Sequence, residues 1–228
     1  MTRPPAPLSP ATPPMTRPGP AAPCPPVRLV IFDMDDVLLR YDVEARRVAM
    51  GALAGLSGDD VERLVWTSGI EDDSDIGRLT PDAYLAAIAA ALGVPFSRDE
   101  WLRTRAGAMM LDPQAVALAG MVRESTRVAL LTNNGHIMKE HFDALVPELR
   151  TLFGPAMHVA ADFGTKKPDP SIYRSVAALH GVEPAQAVMI DDKPANVAGA
   201  VAAGLRAHHF QDAEGLAAFL RELGLVAP

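Results

Sequence analysis

VRLVIFDMDDVLL, residues 27–39, is an apolar run that stops at a cluster of carboxylates. From Val27 to Phe32 only Arg28 interrupts the apolar character, and the run ends abruptly at Asp33. Such a segment suits a strand buried on both faces of a parallel sheet. Three further runs repeat it: residues 128–131 end at Thr132, residues 187–190 end at Asp191, and residues 205–210 follow. A weaker one, residues 156–161, precedes Asp162. Helical patterns follow these runs at residues 137–149, 171–180, 194–203 and 213–223. Strand then helix, repeated, predicts a doubly wound, Rossmann-like parallel α/β sheet. In such sheets ligands bind beyond the carboxyl ends of the strands, and that is where the polar residues stand here.

Residues 42–110 interrupt the alternation. They carry helix signals but no convincing strand. Ser57 with Asp60 and Ser97 with Glu100 have the spacing of capping boxes, in which side chains satisfy free helix amides. Thr80-Pro81 starts another helix and Gly93 stops it, while Asp112-Pro113 opens the helix leading back to the second strand. The expected organisation is an α/β core of residues 27–41 and 111–228, with a helical cap, residues 42–110, inserted after the first strand. Residues 1–26 stand apart, because their many prolines among Ala, Thr, Ser and Arg cannot build a core. They read as a disordered tail, or a translated leader upstream of Met15, in preference to a proline-rich docking arm.

The 228 residues carry a net charge of -7 and are 49% hydrophobic, enough for one sizeable core. The acidic balance, with a pI near 5.3, argues against nucleic-acid and anionic-membrane partners, which call for a basic face. Cys24 is the sole cysteine, so no intramolecular disulfide and no multi-cysteine metal site can form, which fits a reducing, cytoplasmic setting. No apolar run approaches the roughly 20 residues of a membrane span, and the start of the chain lacks the apolar core of a secretory signal.

Four clusters carry the chemistry. Asp33 and Asp35 flank Met34 at the mouth of the first strand, where one carboxylate can attack phosphorus and the other manage the leaving-group proton. Thr132-Asn133-Asn134 can donate hydrogen bonds to phosphoryl oxygens. Lys166-Lys167-Pro168-Asp169-Pro170 supplies a cation of the kind phosphoryl transfer demands. Asp191-Asp192, followed by Asn196, suits a hard cation that takes oxygen ligands. Taken singly, each has a plainer reading: a turn whose side chains satisfy amides, a helix cap, or a solvated lysine pair. Four in this order, each at a strand end, form a pattern.

That pattern resembles the haloacid dehalogenase superfamily. Residues 32–38 resemble its first motif, with the DxD signature of its phosphatases. Thr132 with Asn133 resembles the second motif, Lys167-Pro168-Asp169-Pro170 the third, and Asp191-Asp192 to Asn196 the fourth. The resemblance covers residues 27–210 and is closest to the branch with a small helical cap after motif one, a branch in which Gly77-Arg78-Leu79-Thr80 also recurs. Asp36 replaces the frequent glycine after DxD, which bears on the local turn.

The resemblance implies a magnesium-dependent phosphohydrolase acting on a small phosphorylated metabolite, a sugar phosphate or nucleotide, through an aspartyl-phosphate. It makes Asp33 the nucleophile and Asp35 the general acid and base. Lys167 would steady Asp33 and the phosphate, with Lys166 the runner-up by spacing, and Thr132 and Asn133 would bind phosphoryl oxygens. Mg2+ would be held by Asp33, the Asp35 carbonyl and Asp192 directly, with Asp191 acting through water. A phosphomutase of the same fold and a catalytically silent binding module remain as alternatives. Asp35 is present where true dehalogenases lack the second aspartate. The lysines are 139, 166, 167 and 193, so the cap has none for the Schiff base of a phosphonate-cleaving relative.

The remaining features have plain readings. The six histidines show no metal-ligand spacing and read as surface or packing residues. Glu71, Asp72, Asp73 and Asp75 read as a solvated cap loop in preference to a contact for a neutral or cationic substrate end. Trp66 and Trp101 read as packing the cap in preference to facing the substrate.

Overall fold

The computed structural model describes residues 25–227, so the proline-rich tail lies outside the described residues except for Pro25 and Pro26. The strands are β1 (Leu29–Phe32), β2 (Leu39–Tyr41), β3 (Met109–Leu111), β4 (Arg127–Thr132), β5 (Met157–Val159), β6 (Ala187–Asp191) and β7 (Arg206–His209). A five-stranded sheet runs in the order β5-β4-β1-β6-β7, parallel throughout, with β1 at its centre. The chain thus winds outward from β1 in both directions, as the doubly wound reading predicts.

Burial on both faces explains why β1 is an apolar run and not an alternation. Leu29 and Ile31 face one way, into a cluster with Ile172, Tyr173 and Val176 of a helix at Pro170–Leu179. Val30 and Phe32 face the other way, toward Val122, Phe153 and Leu220. All four β1 residues are fully buried, and each such side chain contributes on the order of 1.5–3 kcal/mol. Successive residues of β4 and β6 divide between the same two clusters.

The helices between the first and fourth strands are α1 (Val43–Ala54), α2 (Gly58–Val61), α3 (Ile70–Asp75), α4 (Pro81–Leu92), α5 (Arg98–Ala106) and α6 (Pro113–Ser125), with a π-helical turn at Glu62–Trp66. Both capping boxes form: Ser57 with Asp60 starts α2 and Ser97 with Glu100 starts α5. The Thr80 hydroxyl accepts from the Ala83 amide at the start of α4, and Gly93 ends that helix at a φ of 70°. Tyr84, Leu85, Ile88 and Leu92 line the buried stripe of α4, at helical spacing, and pack with Met50, Val61 and Trp101. Trp101 is buried as expected.

Beyond β4 come α7 (His136–Glu140), α8 (Phe142–Leu145), α9 (Pro147–Phe153), α10 (Pro170–Leu179), α11 (Pro194–Ala203) and α12 (Ala213–Glu222). The single helix expected at residues 137–149 is therefore three short ones. Pro147 brings no amide hydrogen and drives Val146 out of helical conformation, to φ -141° and ψ 57°. The expected strand at residues 156–161 ends at Val159, where a 3-10 turn, Ala160–Phe163, takes over.

A short antiparallel ribbon corrects the strand-free reading of the insertion. β2 pairs with β3, Leu39 opposite Leu111 and Tyr41 opposite Met109, at the two points where the chain leaves and re-enters the sheet layer. The helical layer rests directly on the strand ends. A β-carbon on Gly135 would lie 2.3 Å from Ser74 Oγ, and one on Gly77, itself at a φ of 74°, would lie 2.9 Å from the Ala161 carbonyl oxygen. Among the described residues no helix is long and apolar enough to cross a membrane.

Candidate active site

Strand register brings the polar residues together. Phe32 is opposite both Leu130 of β4 and Ile190 of β6, and the Asp33 amide donates to the Ile190 carbonyl at 2.9 Å. Asp33, Thr132 and Asp191 therefore emerge side by side at the carboxyl edge of the sheet. Asp33 Oδ1 accepts from the Met34 amide at 2.8 Å. The next turn is closed by Asp36, which holds a φ of 61° and accepts the Tyr41 amide at 3.1 Å. Left-handed backbone explains why glycine suits this position; Asp is among the few other residues that enter that region readily.

Lys167 is the buried cation of the cluster. Its Nζ stands 2.8 Å from Asp33 Oδ1 and donates to Asp191 Oδ2 at 2.6 Å. Burial works against its charge, but Asp33 and Asp191 outweigh that and hold the ammonium above its ordinary value. Burial pushes the Asp33 carboxyl up; Lys167 opposes the shift and Asp191 adds to it. Lys166 points elsewhere, with its Nζ on Asp72 and 3.5 Å from Asp75 of α3.

Asn133 and Lys167 are joined by a pair of hydrogen bonds. Asn133 Nδ2 donates to the Lys167 carbonyl and Asn133 Oδ1 accepts the Lys167 amide, each at 2.9 Å. The Asn133 side chain thus holds the lysine loop, and of its two Nδ2 hydrogens one remains for a phosphoryl oxygen. Thr132 Oγ1 accepts from Asn134 Nδ2 at 2.7 Å. A hydroxyl that accepts there keeps its own hydrogen to donate.

A metal fits this donor set. One carboxylate oxygen from each of Asp33, Asp191 and Asp192 lies within 4.8 Å of the others. Asp191 is committed, since Oδ2 holds Lys167 and Oδ1 accepts from the Lys193 amide at 3.0 Å and Asn196 Nδ2 at 2.9 Å. Asp192 is not: its Oδ1 is buried without a hydrogen-bond partner. Burial raises its carboxyl, against the pull of Lys193. A bare carboxylate beside two others is costly unless a cation shares the site, and an all-oxygen set suits a hard divalent one.

Asp35 stands beside this cluster with partners the motifs do not indicate. Both of its oxygens accept from Arg105 Nη2 of α5, at 2.8 and 2.7 Å, and Oδ2 is 3.3 Å from Asn134 Nδ2. Seventy residues separate Arg105 from Asp35, and no local pattern singles Arg105 out. A cavity of about 340 Å3 opens between the strand ends and the helical layer, with Asp35, Arg46, Trp66, Asp72, Arg105 and Lys193 among its walls. Trp66 therefore borders the cavity as well as packing. The acidic stretch is a short helix and not a loop. Glu71, Asp72 and Asp75 of α3 border the cavity, where Arg46 and Lys166 pair with them, while Asp72, its side chain 71% exposed, and Asp73, paired with Arg78, stay open to solvent as the solvated reading expects.

A family model described as haloacid dehalogenase-like hydrolase matches residues 27–204. Phosphatase MT3486 of Mycobacterium tuberculosis (strain CDC 1551 / Oshkosh) is 29% identical over 195 residues, 80% of this chain and 86% of that protein. Flavin mononucleotide hydrolase 1 of Arabidopsis thaliana is 42% identical over 62 residues, 27% of this chain and 25% of that protein. Among solved structures, a HAD-like family hydrolase from Porphyromonas gingivalis superposes with a TM-score of 0.73 at 21% identity, covering 86% of this chain and 98% of that one. A HAD family enzyme of Bacteroides thetaiotaomicron, solved with magnesium and inorganic phosphate, gives 0.71 at 19% identity, covering 81% and 94%.

Proposed function

The chain belongs to the haloacid dehalogenase-like hydrolases, and on that premise we propose that it is a magnesium-dependent phosphatase of small phosphate monoesters. One observation carries the reading: Asp33, Lys167, Asp191 and the partnerless Asp192 oxygen converge beside Asp35, in the arrangement an aspartyl-phosphate route requires. The hydrolase named a phosphatase in Mycobacterium tuberculosis and the flavin mononucleotide hydrolase are consistent with a phosphate ester as substrate.

In this mechanism Asp33 attacks phosphorus as the ester P–O bond breaks, and Asp35 hands a proton to the leaving oxygen. Asp35 then takes a proton from water, whose oxygen displaces Asp33 and releases phosphate. Lys167 balances negative charge on Asp33 and on the phosphoryl oxygens, and Thr132 donates its hydroxyl to one of them. Asn133 acts chiefly by fixing the loop that carries Lys167. A bound magnesium ion, held by Asp33, the Asp35 carbonyl and Asp192, would neutralise charge on the phosphoryl group. Asp191, with both oxygens engaged, steadies Lys167 and the loop through Lys193 to Asn196.

The helices from α1 to α5 act as the cap, and the cavity beneath them bounds the substrate to a small molecule. Its walls alternate acids with paired bases, which suits a polar, hydroxyl-rich leaving group such as a sugar or nucleoside. The test is direct. With an aryl phosphate, whose leaving group needs no proton, Asp35→Asn should form the phosphoenzyme and stall, and acid quench with mass spectrometry should map the phosphate to Asp33. Asp33→Asn should form none. Phosphate on another residue, or near wild-type turnover by Asp33→Asn, would overturn the assignment. Isomerised sugar phosphate with almost no free phosphate would favour a mutase instead.

A further inference from the structure

We propose that Arg105, reaching in from the cap, is the positioning residue that holds Asp35 in its working orientation. The inference rests on the phosphatase reading above and assigns a role that none of the motifs contains. Arg105 is only 3% exposed, and among the described residues Asp35 is the one carboxylate its guanidinium touches. Both Asp35 oxygens share one guanidinium nitrogen, Nη2, at 2.8 and 2.7 Å, which fixes where the carboxylate sits, and Asn134 Nδ2, 3.3 Å from Oδ2, marks its rotation about that contact.

Arg105 is itself held. Its guanidinium carbon lies 3.9 Å from the centre of the Tyr41 ring, on the ribbon between cap and sheet. Tyr41 Oη accepts from Arg46 Nη1 at 2.9 Å. Arg46 in turn pairs with Glu71 at 3.6 Å and sits against the rings of Trp66 and Trp101, at 5.4 and 5.8 Å. The chain of contacts runs from the middle of the cap to one carboxylate. Its stabilising value is small, because desolvating a buried ion pair offsets most of its attraction. Its consequence is therefore where it leaves Asp35.

Orientation matters because Asp35 must meet two oxygens in turn. It gives its proton to the leaving alcohol as that P–O bond breaks. It then accepts a proton from water as the new P–O bond forms and the bond to Asp33 breaks, returning Asp33 as a carboxylate. A catalytic group displaced by about 1 Å can lose on the order of 10²-fold in rate. Arg105 comes from the cap, so the acid and base group is aligned by the seated cap.

An aryl phosphate separates the two steps, because its leaving group departs unprotonated and only phosphoenzyme hydrolysis then needs Asp35. In rapid-quench experiments Arg105→Ala should release a burst of about one aryl alcohol per active site, followed by a steady state lowered by about 10²-fold. Phosphate should accumulate on Asp33, and millimolar guanidinium chloride should restore part of the steady rate. Should the alanine protein fail to fold, Arg105→Gln carries the same readouts. A folded variant within twofold of wild type would overturn the proposal. So would a loss without a burst that guanidinium does not relieve, which is what a merely structural role gives. If Asp35→Asn traps the phosphoenzyme and the Arg105 variants do not, only the part of Arg105 falls. If none of them does, the phosphatase reading fails and takes this inference with it.

Discussion

His158, one residue inside the end of β5, shows what burial does to a titratable side chain in this fold. Its Nε2 is 2.9 Å from Nε2 of His180, and the ring meets Phe163 edge-on. Burial first, and the His180 ring second, hold the His158 imidazole down to about 4, with Asp162 pulling the other way and Lys139 reinforcing the shift. An unfolded histidine takes its proton near 6.5. Between those values the unfolded chain binds more protons than the folded one, so the contribution is fully present above about 6.5 and is lost as pH falls toward 4. The slope is at most about 1.4 kcal/mol per pH unit for one proton. Urea unfolding at a series of pH values should therefore show wild type losing more stability than His158→Asn across that window. Parallel curves would mean that the pair is not the titrating element. Another histidine, His209, meets the backbone of the carboxylate cluster, its Nε2 2.9 Å from the Asp192 carbonyl.

At the level of elements, α11 is the strut behind Lys167. Gly199, in its middle, lets the helix close on the segment after Lys167; a β-carbon there would lie 2.1 Å from the Pro168 carbonyl oxygen. Tyr173 of α10 ties the same corner together by donating to the Asn196 carbonyl at 2.7 Å. Replacing glycine by alanine inside a helix ordinarily adds up to about 1 kcal/mol. An overlap this deep against backbone costs more, in the range of about 1–3 kcal/mol for overpacking. Gly199→Ala should thus melt lower than wild type and turn over more slowly, because relief of the clash moves Lys167 off Asp33. Thermal melts beside initial rates decide the matter, and a variant at least as stable and as active as wild type would refute the strut. The ribbon of β2 and β3 belongs to this scale too. Each of its strands is three residues long, too short for a periodic signal, so pairing between distant segments makes it and no local pattern announces it.

For the whole molecule, the carboxyl edge of the sheet gathers more negative charge than Lys167 can balance, and a divalent cation should stabilise the fold by mass action. Magnesium at ten times its dissociation constant should add about 1.4 kcal/mol. For a chain of this size that is a rise of about 3–6 °C in Tm. Asp192→Asn should lose most of the rise, since it removes the carboxylate whose buried oxygen has no hydrogen-bond partner. An equal shift in wild type and variant would place the ion elsewhere. The sheet strands, the helix caps and three of the four clusters, those at the ends of β1, β4 and β6, were legible from residue order alone; the lysine cluster stands beyond the 3-10 turn that follows β5 and not at a strand end. Runs buried on both faces, capping boxes and proline–glycine punctuation are local physics, written within a few residues of one another. The strand order, with β1 at the centre, is decided by the structure, since doubly wound sheets occur in more than one order. The tertiary structure alone also decided which distant side chains meet. Arg105 reaching Asp35, Asn133 bonded to the Lys167 backbone, Lys166 turned to α3 and the acidic stretch bordering the cavity are all contacts across long sequence separation. Such contacts are set by how the helical layer packs on the sheet, and no short-range pattern in the chain encodes that packing.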